Sequence, residues 1–172
     1  MKRFVLLCLS LLGAGACASA RGPMAMATLQ PATGSAVRGV IHFQEMADGA
    51  VEVQADLTGV PPGMHGFHAH EEADCSASGG SHFNPGSMPH AGPDAASHHA
   101  GDFGNVFAEA NGEVHARFTT RSITVRDSPI SVVGRTVILH AGADDLRTQP
   151  SGQAGEAIAC GPISAMAGSM HH

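Results

Sequence analysis

The sequence predicts an all-β domain, an antiparallel sandwich or barrel, on three observations. Short segments alternate apolar and polar residues with period two, tight-turn dipeptides sit between paired segments, and no stretch sustains an apolar 3.6-residue period. The 172 residues are enough for one well-buried core and short for two.

The elements follow in chain order. Ile41 and Phe43 alternate with His42 and Gln44, and Val51, Val53, Ala55 and Leu57 alternate with Glu52, Gln54 and Asp56. These are half-buried strands, and Asp48-Gly49 between them is a hairpin signal. Asn111-Gly112 repeats that signal between the strands predicted over Asn105 to Ala110 and Glu113 to Thr119. An apolar strand follows at Thr136 to Leu139, and Ala141 to Leu146 has room for one helical turn. Two long segments, Glu71 to Ala100 and Ala141 to Ala159, are rich in Gly, Pro, Ser and Asp. Loops of that length in a compact domain are functional or disordered. The first holds most of the histidines and the second holds paired aspartates, so both read as functional.

The N-terminal residues 1–20 read as an export signal: Lys2 and Arg3 precede the apolar run Phe4 to Leu12, which small residues follow. The run is too short to span a bilayer. Cleavage after Ala18-Ser19-Ala20 would release a soluble periplasmic protein. Processing before Cys17, where Ala14-Gly15-Ala16-Cys17 resembles a lipobox, would leave an outer-membrane-anchored lipoprotein. Residues 21–25 then form a short linker, 26–165 the domain and 166–172 a flexible tail.

Removing the signal takes Lys2, the only lysine, and Arg3 from 9 basic residues, leaving 7 against 15 acidic, a charge of about −8. No basic patch remains, which argues against a nucleic-acid partner. Of the four cysteines, Cys75 and Cys160 stay with the exported domain, and an even pair in an oxidising compartment points to one disulfide.

Twelve histidines demand an explanation. His68 and His70 are two apart, so on a strand they share a face and can grip one metal ion. His82, His90, His99 and Asp102 follow, and His140 ends the apolar strand at 136–139. Seven candidate ligands, mostly in one irregular loop, indicate two metals. Imidazole suits copper and zinc alike; histidines plus one carboxylate form a normal zinc set, and an all-histidine set suits redox copper.

Several separated motifs carry a specific resemblance: Gly66-Phe67-His68-x-His70, His82-Phe83-Asn84-Pro85, Gly101-Asp102-x-Gly104-Asn105, Gly134-Arg135-Thr136 and Ala159-Cys160-Gly161. In these, from about Ala25 to Ala165, the chain resembles the copper,zinc superoxide dismutase family. The resemblance implies a Greek-key sandwich or flattened barrel with a long metal-binding loop and a second loop over the active site. It assigns His68, His70, His82 and His140 to copper and His82, His90, His99 and Asp102 to zinc, with His82 bridging the ions and shuttling a proton. Asp144 matches the family aspartate that links a copper histidine, His68, to a zinc histidine, His90, and Cys75 and Cys160 match the disulfide that ties the metal loop to the barrel. The implied substrate is superoxide, converted to oxygen and hydrogen peroxide by alternate reduction and oxidation of copper.

The remaining histidines read as bystanders. His65 matches a family position that hydrogen-bonds near the barrel end, His42 and His115 fall on polar strand faces expected to be exposed, and the Gly101-Asp102 match selects His99 over His98. Met24, Met26, Met166, Met170, His171 and His172 could take copper through thioether and imidazole, or simply be chain ends.

The chain departs from the family at one point: three residues before Cys160, where members carry an arginine beside copper, stands Ala157. Slower capture of an anionic substrate is expected, and the gap motivates an alternative reading as an exported copper-binding or copper-buffering protein on the same scaffold. The family forms homodimers through two different surfaces, and this chain mixes features of both types. His82-Phe83-Asn84-Pro85 looks eukaryotic-type; His140-Ala141-Gly142-Ala143-Asp144 and the short loop after it look bacterial.

Overall fold

The computed structural model describes residues 22–72, 75 and 80–167. The expected signal at 1–20, with Cys17, and the tail residues Met170, His171 and His172 lie outside the described residues. Eight strands form: β1 (Met24–Pro31), β2 (Arg38–Glu45), β3 (Val51–Thr58), β4 (Gly63–His70), β5 (Asp102–Ala108), β6 (Val114–Thr120), β7 (Thr136–His140) and β8 (Ala157–Ala165). Their order is β5-β4-β7-β8-β1-β2-β3-β6, every pairing antiparallel. The jumps from β3 to β6, β4 to β7 and β8 to β1 make Greek-key connections. The end strands β5 and β6 pack side by side, so the sheet curls into a nearly closed barrel.

Alternation sets which side chains go inside. β3 buries Val51, Val53, Ala55 and Leu57 and leaves the residues between them half-buried, as the period-two pattern requires. Gly49 and Gly112 take φ of 81° in their turns, a backbone conformation open to glycine without cost. Phe43, Phe67, Phe103 and Phe118 meet in the middle, with Phe103 within 5.8 Å of both Phe67 and Phe118, centroid to centroid. Leu29, Ile41, Leu57, Ile123, Leu139 and Ile163 complete the interior.

Two details concern the strand ends and the second loop. The first strand begins at Met24, inside the segment read as linker, and Met166 at the start of the expected tail donates its N–H to the Met24 carbonyl at 2.9 Å. Residues 141–146 form bends rather than a helical turn, and no helix occurs among the described residues.

β4 and β7 are buried on both faces. Phe67, Ala69, Val137 and Leu139 face the core, while His68, His70 and His140 face outward beneath the loops at 71–101 and 141–156. The first loop is stitched to β4 through its own backbone: Ala69 N–H donates to Gly101 O at 3.0 Å, Phe83 N–H to Ala69 O at 2.8 Å and Gly101 N–H to Phe83 O at 2.9 Å. The approach is so close that a side chain at Gly101 would collide with the Ala69 carbonyl. Phe83 is fully buried, with the Arg135 guanidinium 4.4 Å above its ring, and Arg135 also donates to the Glu71 carboxylate at 2.7 Å. Cys75 is joined to Cys160 of β8, as the cysteine count anticipated.

Candidate metal centre

The seven candidate ligands converge. His68, His70, His82 and His140 form one buried cluster and His82, His90, His99 and Asp102 another, the ligand atoms of each lying within 4.8 Å of one another. His82 belongs to both, so the clusters adjoin through one imidazole. The strands supply part of this order: His68 and His70 project from β4, His140 from neighbouring β7, and Asp102 begins β5 opposite His68. The loop supplies His82, His90 and His99.

In the second cluster, Asp102 Oδ1 is the focus. His82 Nδ1 lies 2.7 Å away, His90 Nδ1 3.1 Å and His99 Nδ1 3.2 Å. The other carboxylate oxygen accepts the backbone N–H groups of His99 at 2.9 Å and Ala91 at 3.2 Å, which fixes its orientation. Burial works to raise the Asp102 pKa, but the His82 hydrogen bond, the nearby imidazoles and the His99 N–H outweigh it and hold the carboxyl well below the usual carboxylate range.

In both clusters, protein oxygens engage the ring nitrogen that points away from the centre. Asp144 spans them: Oδ2 meets His68 Nε2 at 2.7 Å and Oδ1 meets His90 Nε2 at 3.0 Å. Gly80 O accepts from His70 Nδ1 at 3.1 Å and Gly155 O from His140 Nδ1 at 2.9 Å. These acceptors put the proton on the outer nitrogen and leave a lone pair facing inward. His68 Nδ1, His82 Nε2 and His90 Nδ1 are buried with no hydrogen-bond partner. A buried nitrogen without a partner is costly unless a ligand satisfies it, so these three mark where metal ions fit.

Electrostatics agree with that fit, because a metal needs neutral imidazole. Burial pushes His68 down to about 4 and His70 to about 3, and it lowers His140 and His99. Neighbouring imidazoles add to the effect, and all four rings are neutral at pH 7.

The bystander histidines stay out. His65 contacts His140 O and Pro61 O at 2.8 and 2.7 Å, His98 turns to His99 O and Ser122 Oγ, and exposed His115 pairs with Asp56. His42 is half-buried rather than exposed. Reading the sequence missed Gln149, whose amide oxygen accepts the His90 N–H and whose amide nitrogen donates to the His90 carbonyl, both at 2.7 Å. A lone loop glutamine carries no spacing signal. It also missed Gly152, at φ +67°, where any Cβ would fall inside the Asp144 carboxylate.

An antiparallel Greek-key barrel with two adjoining imidazole-rich clusters defines a dinuclear metalloprotein. A sequence profile of the copper/zinc superoxide dismutase (SODC) family matches residues 37–163. The chain belongs to that family, a family of oxidoreductases whose cofactors are copper and zinc, and both clusters suit those ions. It is 36% identical over 140 residues to an extracellular superoxide dismutase [Cu-Zn] of Onchocerca volvulus, covering 74% of this chain and 69% of the relative. Among solved structures it resembles the crystal structure of the clock protein EA4, with a TM-score of 0.77, 38% identity, and coverage of 84% of this chain and 96% of the other.

Proposed function

We propose that the chain is an exported superoxide dismutase in which His68, His70, His82 and His140 hold copper and His82, His90, His99 and Asp102 hold zinc. The observation that carries this reading is the sharing of His82 by two buried four-residue clusters. Copper, when bound, would supply the alternating one-electron chemistry that turns two superoxide ions and two protons into one oxygen and one hydrogen peroxide. The chain supplies the rest. His82 Nε2, buried and without a protein partner, is the atom placed to hold and return a proton, while Nδ1, 2.7 Å from Asp102 Oδ1, is turned to the zinc set. Asp144 fixes His68 and His90 together, so both clusters share one frame. Export is supported by the leader-like residues 1–20 and by the word extracellular in the name of the relative. A periplasmic or lipid-anchored destination, through Cys17, and a homodimer are part of the same proposal.

Capture of substrate is where this chain should be weak. Ala157 lies on β8 directly opposite His140, so the position that carries the family arginine is next to the copper cluster and has no charge. Arg147 sits in the exposed loop beside Asp145. With a net charge of about −8 after leader removal, the protein repels an anion. The test is superoxide consumption by copper- and zinc-loaded protein, parent against Ala157→Arg, across ionic strength. The parent should speed up slightly as salt screens the repulsion. The variant should be faster at low salt and slow as salt rises. Loaded protein that clears superoxide no faster than buffer controls would leave the copper-buffering reading in place. His82→Ala should lower the content of both metals; unchanged content would refute the bridge.

A further inference from the structure

A third group of side chains with metal-binding chemistry lies on β1 and β2, away from the two buried clusters on β4, β5, β7 and the first loop. Ala25 and Ala27 of β1 face the core, so Met24 and Met26 occupy the outer face, both half-buried. In the β1–β2 register Met26 stands directly opposite His42 and Met24 opposite Gln44. On the other edge of β1, Ala25 pairs with Ala165, and the Met166 N–H bonds to the Met24 carbonyl, which sets Met166 beside Met24. Three thioethers and one imidazole therefore share a patch across three adjacent strands. Directly opposed Cβ atoms lie about 4.5–5.5 Å apart and residues two apart on one strand about 7 Å, distances that unbranched methionine side chains close around a single ion.

The chemistry selects the ion. Thioether sulfur is soft and binds monovalent copper far better than zinc, calcium or magnesium, and imidazole is a good additional donor. Gln44, at the edge of the same patch, is 7% exposed; its amide nitrogen donates to Gly22 O and Glu45 O, while its amide oxygen is buried without a hydrogen-bond partner. This amide reaches toward Gly22, so Gln44 borders the patch and is not one of its ligands.

We propose that Met24, Met26, Met166 and His42 form a surface site for Cu(I), separate from the copper and zinc clusters. The site also gives the half-buried His42 a partner set. The tail residues Met170, His171 and His172 begin four positions beyond Met166 and offer a rival location for the same ion.

The experiment uses the full chain already loaded with copper and zinc and titrates Cu(I) against a chromogenic Cu(I) chelator. One further Cu(I) per chain is expected. Met26→Leu and His42→Gln, which keep side-chain volume, should each weaken it by at least tenfold without changing the copper and zinc already bound. Deleting residues 168–172 should leave it in place. As a check that needs no chelator, Ag(I) should shift the Met24, Met26 and Met166 methyl resonances in slow or intermediate exchange. No extra equivalent, or an extra equivalent that vanishes on tail deletion and survives both point variants, overturns the proposal.

Discussion

Replacing Asp144 by Asn tests whether one carboxylate holds both clusters. The change is nearly isosteric, and the backbone should stay put, since Asn105 Oδ1 accepts the Asp144 N–H at 2.7 Å and Asn105 Nδ2 donates to the Asp144 carbonyl at 2.9 Å. What changes is one oxygen. Asp144 Oδ1 receives two donors, His90 Nε2 at 3.0 Å and Leu146 N–H at 2.6 Å, whereas Oδ2 receives only His68 Nε2 at 2.7 Å. An amide keeps the larger number of bonds by placing its oxygen at the Oδ1 position and its NH2 against His68. Two donors then face each other, and the His68 proton is driven to Nδ1, the nitrogen whose lone pair should face the metal. Losing an outer carboxylate typically weakens a metal site about 10–100-fold, or about 1.4–2.8 kcal/mol. Copper should take the larger loss and zinc the smaller, because His90 keeps its acceptor. Separate chelator competitions for the two ions, with circular dichroism to confirm the fold, read this directly. If both affinities stay within twofold of the parent while the fold is unchanged, the bridging role of Asp144 is wrong; if zinc falls more than copper, the account of the amide orientation is wrong.

Three further predictions rest on other parts of the structure. The Cys75–Cys160 bridge spans 85 residues, so on the chain-entropy account replacing both cysteines by Ser should cost roughly 4.5 kcal/mol in guanidinium unfolding, and a loss below about 1 kcal/mol would show that the loop is ordered without it. Gly152→Ala should release zinc into a mild chelator much faster than the parent, since the new Cβ displaces Asp144 and approaches His90 Nε2 to 2.7 Å at a φ that also disfavours alanine; equal zinc retention would contradict the packing. Metal-free protein should lose stability as pH falls from about 6.5, because the folded pKa values of His68 and His70, about 4 and about 3, lie below the ordinary 6.5 and the unfolded chain takes up those protons first. Each such proton adds a slope of about 1.4 kcal/mol per pH unit until the pH reaches the folded value, so a flat urea midpoint between pH 6.5 and 4.5 would refute it.

What the sequence reveals, and what it hides, follows from how each segment meets water. β2, β3 and β6 have one face in the core and one turned outward, and their alternation is plain in the sequence. β4 is invisible to that test because the metal loop covers its outer face and buries His68 and His70 along with Phe67 and Ala69. β1 is hidden for a different reason. Its outer face opens with Met24 and Met26 and turns polar only at Thr28 and Gln30, so the alternation is blurred at the start and Met24 and Ala25 look like part of a linker. β8 carries Gly161-Pro162 within a stretch whose Ala159, Cys160 and Gly161 are all buried. The candidate ligands that cluster in the structure were named from motif spacing and family resemblance, whereas Gln149 and the carbonyls of Gly80 and Gly155 were not, because acceptors that orient a ring are defined by position in space alone.

The metal loop itself marks the limit of pattern reading. In the described part of 71–101 the one large apolar side chain that is fully buried is Phe83; the other buried anchors are His82, His90 and His99. Apolar burial therefore contributes little to ordering this segment, and the work falls to backbone bonds with β4, the disulfide, Asp102, Asp144 and the ions that neutral imidazoles admit. Under the metal assignment proposed above, binding energy for the ions adds to the folding energy of the loop. A segment stabilised in that way has no reason to carry a hydrophobic period, and its ligands occur at intervals of 8, 9 and 3 residues from His82 to Asp102. Those intervals match neither a strand nor a helix; they fit a chain wrapped around two ions, and it is the geometry of that wrapping, pinned at Gly101 against Ala69, that gives the spacing its meaning.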